Sequence, residues 1–321
     1  MLIDAHAHVI PDDLPDREAW PRLEGGQLVT RTARVPAPAE FHDLATRIAS
    51  QEAQGLNAEV ISPLPQLIDH EAEASTFAEL CAHVNAFVGR WCAAKPRRLF
   101  GLGIVPLQDV GLATEMLGNV RDAGLAGVEI GSHVRGRLAG SEEFLPFFRE
   151  AQRLDLAVLM HALPPTSPPL SASAVPAYLM PAQIGLGAAS VISGPLPDAC
   201  PELRLAFSHG AGGLPLALPR AHYFWGGSWN RDDPAVRPDR PSPLDVARRY
   251  WYDALVFDRL LLGYLVDVLG PDRLLLGSDY PATRREEPPF DTVVRSGMLE
   301  ADVAAIAWDN TFRWLGVPPP A

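Results

Sequence analysis

Two histidines near the N-terminus, in Ile3-Asp4-Ala5-His6-Ala7-His8, are spaced to share one cation. Side chains alternate along a strand, so positions 4, 6 and 8 are expected on one face, with small Ala5 and Ala7 on the other. The strand rise sets the two imidazoles about 6.5 Å apart, within reach of a single metal ion. Asp4 is expected as an acceptor that orients one of them. Three further residues follow apolar runs: His161 in Ala157-Val158-Leu159-Met160-His161-Ala162, His209 in Phe207-Ser208-His209-Gly210-Ala211-Gly212-Gly213, and Asp279 in Leu276-Gly277-Ser278-Asp279-Tyr280-Pro281. One at a time each has an ordinary explanation, as a hydrogen-bonded core histidine or as a turn or N-cap aspartate. Together they are a nitrogen and oxygen donor set suited to one Zn2+ per chain, with Mn2+ or Fe2+ as alternatives and a position open for water. A metal lowers the pKa of such a water towards ~7, and a neighbouring imidazole or carboxylate would move the proton.

Such residues act together only if the fold gathers them. Short apolar runs at 2–8, 58–63, 99–106, 127–132, 157–162, 203–209, 250–256 and 273–278 read as eight strands. Helix-period segments at 40–54, 73–94, 111–123, 142–154 and 259–268 lie between them. Strands alternating with helices argue parallel units, and eight of them in 321 residues is the count of a closed (β/α)8 TIM barrel, one domain over residues 1–321. An open doubly wound sheet is the competitor. His6 and His8 close the first run, His161 the fifth and His209 the sixth, while Asp279 follows the eighth. Only a closed barrel brings its first and last strands together, and barrel sites collect at the C-terminal strand ends.

Composition narrows the partners. With 47% hydrophobic and 21% charged residues the chain can bury a large core. A net charge of −12 and the lack of any Lys/Arg block argue against nucleic acid and anionic membranes. Cys81, Cys92 and Cys200 show no CxxC spacing, so neither a disulfide framework nor a thiolate zinc site is expected. The N-terminus lacks a basic region ahead of an apolar run, and no uninterrupted apolar run reaches 18 residues; a cytoplasmic protein is expected. Many of the 32 prolines, roughly twice the ~5% average usage, fall in the segments 163–181 and 214–243 and at the C-terminus, and the two segments read as long ordered loops.

The ordered series Asp4-Ala5-His6-Ala7-His8-Val9-Ile10-Pro11, Pro96-Arg97-Arg98-Leu99-Phe100-Gly101-Leu102-Gly103, Gly127-Val128-Glu129-Ile130-Gly131-Ser132-His133-Val134, Met160-His161-Ala162, Ser208-His209-Gly210-Ala211-Gly212, Tyr252-Asp253-Ala254-Leu255 and Leu276-Gly277-Ser278-Asp279-Tyr280-Pro281 resembles the amidohydrolase superfamily. Within it the chain is similar to the 2-amino-3-carboxymuconate-6-semialdehyde decarboxylase (ACMSD) group. The resemblance implies that His6, His8, His161 and Asp279 bind zinc and that His209 is the general acid/base. It further implies that Arg220, from a neighbouring subunit, and Arg31 bind a substrate carboxylate; Arg34 aligns nearly as well as Arg31. Three features depart from that group: Ala282 stands where Phe is typical, the segment after His161 lacks a tryptophan, and Ser62-Pro63-Leu64-Pro65-Gln66 replaces the usual Ser-Thr-Val-Pro. Glu129 stands where other metal hydrolases of the superfamily bridge two metals. The resembling group is mononuclear, so Glu129 is expected to support the ligands or the fold, and His133 to be a loop residue of no assigned role.

The expected activity is decarboxylation of a small unsaturated or aromatic carboxylic acid, with Asp279 sharing the catalytic work of His209. A second reading makes the same site a hydrolase of a lactone, ester or amide, and a third makes the metal structural. The segment 214–243 carries six prolines and Tyr223-Phe224-Trp225-Gly226-Gly227-Ser228-Trp229, costly to leave exposed. A homodimer is expected, with this segment crossing a two-fold axis and Arg220 entering the partner's site.

Overall fold

The computed structural model describes residues 1–17, 20–163, 169–171, 173–225 and 241–320. Eight parallel strands form one sheet in chain order: Ile3–Val9, Ala58–Pro63, Leu99–Gly103, Gly127–Gly131, Ala157–His161, Leu205–Phe207, Trp251–Asp253 and Leu274–Leu275. All eight lie within the runs expected to be strands, save that the first extends one residue further, to Val9. Outer helices cover one face of each barrel strand and the packed interior covers the other, so a strand reads as a continuous apolar run rather than an alternation. The eighth strand is only two residues long, because the chain then turns towards the first. The N–H groups of Ser278 and Asp279 donate to the His6 carbonyl, that of His8 donates to the Tyr280 carbonyl, and Ala7 forms a parallel bridge with Tyr280. These bonds close the sheet into a (β/α)8 barrel and carry Asp279 across to the first strand.

Side-chain caps set where several outer helices begin. Asp43 accepts from Thr46 N at the start of Leu44–Ala53, Glu73 from Ser75 N and Thr76 N at Ala74–Ala94, Asp109 from Leu112 N at Val110–Asp122, and Asp258 from Leu260 N and Leu261 N at Arg259–Leu269. Each cap satisfies backbone donors that the first turn leaves free, typically contributing ~1 kcal/mol. The barrel interior is filled by small and branched side chains, among them Ile3, Ala5, Val60, Leu102, Leu159, Ala206 and Leu275. Trp308, Phe312 and Trp314 from the C-terminal helices join that layer. Arg204, just ahead of the sixth strand, donates to the Trp314 carbonyl, which locates this plug at the N-terminal end of the barrel. The opposite, C-terminal end is left for chemistry.

Two elements run against the expected loops. The segment Val175–Ser193, with a mean hydropathy of 1.4, is by composition long and apolar enough to cross a membrane. Here it is an outer barrel helix, with Ile184, Ala188 and Val191 buried. The Pro-rich stretch from 214 opens with a helix, Leu214–Trp225, that contains Pro219. A proline at that position removes the bond its N–H would donate to the Pro215 carbonyl. The Tyr264 hydroxyl donates to that carbonyl instead, at 3.1 Å, so the helix tolerates the proline. The remainder of the expected 214–243 crossing, residues 226–240, lies outside the described residues, as do 164–168 and 172 of the first loop. A small antiparallel sheet, Arg22–Glu24, Gln27–Val29 and Arg34–Pro36, is inserted after the first strand and had no counterpart among the expected strands.

Candidate metal centre and active site

The first strand is not regular. Asp4 pairs with Glu59 but Ala7 pairs with Ile61, so three residues of one strand span two of the other. This bulge reverses the alternation between Asp4 and His8. The sequence expectation that Asp4 shares a face with both histidines is therefore corrected. Asp4 points outward, where its carboxylate accepts from Ser278 N at 3.1 Å and from Arg285 Nε at 2.9 Å. Arg285 also binds Glu59, which in turn accepts from Arg47 Nε at 2.6 Å and from Gln51. This buried network braces the outside of the first two strands, and Arg47 additionally donates to the His8 carbonyl at 3.0 Å.

Inside the barrel, His6 and His8 bring their Nε2 atoms to 3.1 Å of each other. Asp279 Oδ1 lies 2.9 Å from His8 Nε2, 3.7 Å from His6 Nε2 and 3.9 Å from His161 Nε2. The four donor atoms all fall within 4.8 Å of one another. A tetrahedral ion with metal–nitrogen distances of about 2.0–2.1 Å separates its ligands by about 3.3 Å, so the spacing fits.

Hydrogen bonding at the other ring nitrogens sets the protonation pattern. His161 Nδ1 donates to the Ala162 carbonyl at 2.6 Å, leaving a lone pair on Nε2 that is buried and has no partner among the described residues. Burial, reinforced by the neighbouring His6, holds the His161 pKa well below its ordinary value, so the ring is neutral. His6 Nδ1 faces Asp253 Oδ2 at 2.7 Å, and His8 Nδ1 faces the Ser62 hydroxyl at 3.2 Å. Burial disfavours charge on His6, but the hydrogen bond and charge of Asp253 outweigh it and raise the pKa of the ring, making it a more basic donor. Burial likewise opposes ionisation of Asp279, yet the surrounding histidines, His209 and His8 foremost, hold its pKa well below the usual carboxylate range. Three Nε2 atoms and one carboxylate facing a common point suit a divalent cation.

His209 follows the sixth strand and is half-buried beside this cluster. Its Nε2 lies 3.8 Å from Asp279 Oδ2, and its Nδ1 pairs with the Ser208 hydroxyl at 2.8 Å. Glu129 is fully buried, and burial pushes its pKa up to about 8. Its Oε2 lies 3.8 Å from His8 Nδ1, the side of the ring that faces away from the donor cluster. His133 Nε2 donates to the Leu163 carbonyl at 2.6 Å, tying down the start of the segment after the fifth strand.

The two arginines meet other partners. Arg31 sits between the second and third strands of the inserted sheet and makes a bidentate pair with Asp69, at 2.9 and 2.8 Å. Arg220 is exposed on the helix Leu214–Trp225, its guanidinium 4.6 Å from the Phe224 ring centre. Arg34 meets Glu24 and Gln27. Sequence reasoning gave Asp253 no role, although it ends the seventh strand and binds His6. The available signal was a carboxylate closing a barrel strand, the same signal that singled out the histidines.

A family model described as amidohydrolase matches residues 3–317. The chain is 24% identical to a 2-amino-3-carboxymuconate-6-semialdehyde decarboxylase of Dictyostelium discoideum, over 99% of this chain and 92% of that protein. The fold matches that of the 5-carboxyvanillate decarboxylase from Sphingomonas paucimobilis with a TM-score of 0.80 and 21% identity, covering 99% of each chain. It also matches a dihydroxybenzoic acid decarboxylase from Polaromonas, solved with bound manganese and the inhibitor 2-nitroresorcinol, with a TM-score of 0.78 and 18% identity over 98% of this chain and 96% of that one.

Proposed function

We propose, from the premise that this chain belongs to the amidohydrolase family, that it is a metal-dependent carboxy-lyase removing CO2 from a small aromatic or unsaturated carboxylic acid. The observation that carries this reading is the convergence of His6, His8, His161 and Asp279 beside a half-buried imidazole, that of His209. The decarboxylase names of the relatives support it. The divalent ion is taken as zinc from the donor set, with manganese supported by the Polaromonas neighbour. Held by His6, His8, His161 and Asp279, it would supply a Lewis acid for the substrate carboxylate.

The remaining chemistry belongs to the side chains. Breaking the bond between the ring carbon and the carboxylate leaves an electron pair on that carbon, and a proton must replace CO2 there. His209 holds that proton at Nε2 while Ser208 steadies Nδ1. Asp279, with Oδ2 3.8 Å from that nitrogen, orients the imidazole towards the reacting carbon. Water reprotonates His209 after product leaves. Arg220 of a second subunit, and Arg31 after exchange from Asp69, are taken to pair with the anionic substrate. Leu216 and Tyr223, 63% and 66% exposed on the helix that bears Arg220, give that helix an apolar face suited to a two-fold contact.

The test is an assay of the metal-loaded protein on a panel of hydroxybenzoates, carboxymuconate-type acids and lactones. Stoichiometric CO2 release from an acid is the expected result. Water addition to a lactone or ester without CO2 would replace the lyase with a hydrolase.

A further inference from the structure

We propose that Asp253 is a positioning residue that couples the two halves of the site, fixing His6 as a metal donor and holding His209 in place for proton transfer. Asp253 ends the seventh strand and is 2% exposed. Its Oδ2 accepts from His6 Nδ1 at 2.7 Å and from the His209 N–H at 2.8 Å. Its Oδ1 accepts from the Gly210 N–H at 2.8 Å and the Leu255 N–H at 3.2 Å. One carboxylate thus spans the first, sixth and seventh strands.

The backbone it binds is unusual. His209, Gly210, Ala211 and Gly212 have φ of 53°, 57°, 55° and 54°, four consecutive residues in the left-handed region. Two of them carry a Cβ, and such residues persist only where their surroundings over-determine them. Successive N–H groups in this kind of turn form a concave cradle for an anion, and here the Asp253 carboxylate fills it. A Cβ on Gly212 would lie 1.8 Å from the Pro181 carbonyl oxygen, so the turn is also packed from the other side. A Cβ on Gly277 would come within 2.8 Å of the Asp253 Cβ and 2.9 Å of the His6 Cβ, so glycine there lets the eighth strand close over the pair.

Two consequences follow from the same four bonds. At His6, a carboxylate at Nδ1 keeps the proton there and the lone pair on Nε2, where the other donors converge; an amide in its place could donate to Nδ1 and shift the proton to Nε2. At His209, loss of the carboxylate frees two N–H groups and lets the turn relax, moving the imidazole away from Asp279. The second consequence rests on the reading of His209 as the proton donor; the first does not.

The experiment compares the zinc-loaded wild type with Asp253→Asn and Asp253→Ala. Chelator competition should show zinc held about 10–100-fold more weakly in both variants. In 15N-histidine spectra of the Asn variant the Nδ1–H signal of His6 should be lost, and amide exchange at His209 and Gly210 should quicken at least about tenfold. At saturating zinc, kcat should fall at least about tenfold with KM changed less than about threefold, and this loss should vanish when Asp253→Asn is placed in a His209→Ala background. Unchanged zinc affinity with an intact His6 Nδ1–H signal overturns the proposal, and so does an equal kcat loss in the His209→Ala background. If Asp253→Ala does not fold, the near-isosteric Asn variant decides. Failure of the decarboxylase reading shows separately, as no CO2 from the wild type, while the zinc and exchange measurements still judge Asp253.

Discussion

Asp279 and His209 face each other across 3.8 Å, Oδ2 to Nε2, while the other oxygen of the same carboxylate lies 2.9 Å from His8 Nε2. Asp279 thus faces the donor cluster with one oxygen and the His209 imidazole with the other. Its backbone φ of 59° places a non-glycine residue in the left-handed region, consistent with a geometry set by the surrounding bonds rather than by local preference.

His209 is expected to be essential for turnover and dispensable for metal. His209→Ala should lose at least ~10²-fold in kcat and keep its metal by elemental analysis. Metal lost together with activity would make His209 a ligand.

The cluster predicts one divalent ion per chain. His161→Ala exposes the neutral donor to direct test, and it should abolish stoichiometric binding while leaving the far-UV circular dichroism intact. Stripping the wild type with a chelator should lower the melting temperature, and a metal present at 100 times its Kd should restore about 2.7 kcal/mol. Two ions per chain, lost one at a time in Glu129→Gln, would overturn the mononuclear reading.

His70 predicts an acid sensitivity away from the metal. It is buried, and desolvation, followed by the nearby His133, lowers its pKa to about 4. Unfolded, it takes up a proton near pH 6.5, whereas folded it does not until about pH 4. The unfolded state therefore binds more protons in this window, and stability falls as pH drops through it, by about 3 kcal/mol in total. Urea unfolding of the metal-free protein at pH 7, 5.5 and 4.5 should show a shallower loss for His70→Asn than for the wild type. Parallel slopes would remove His70 as the cause.

The barrel was legible in the sequence because strands buried on both faces read as apolar runs, and because five reactive residues ended or followed four of them. The bulge between Asp4 and Ala7 was not legible: a one-residue change of register leaves no mark in composition, yet it turns Asp4 out of the barrel. Asp253 escaped for a related reason, since a carboxylate at a strand end declares a role only when His6 is seen 2.7 Å away. The helix around Pro219 was hidden because the bond that makes the proline tolerable comes from Tyr264, 45 residues further along the chain.

The assembly prediction turns on Arg220. Among the described residues, the exposed guanidinium resting on Phe224 has no carboxylate partner to surrender, unlike Arg31, which is held by Asp69. It lies on a helix whose Leu216 and Tyr223 are solvent-exposed, and the proposal is that it reaches into a second subunit. A homodimer by sedimentation is the first expectation. The decisive measurement mixes Arg220→Ala chains with His161→Ala chains, each inactive alone. In a heterodimer the intact donor cluster of one chain meets the intact Arg220 of the other. Random exchange makes half the dimers mixed with one working site each, so about a quarter of wild-type activity should return. Verified exchange with no recovery would place Arg220 in its own subunit's site or on the surface, and a monomer would end the shared-site proposal outright.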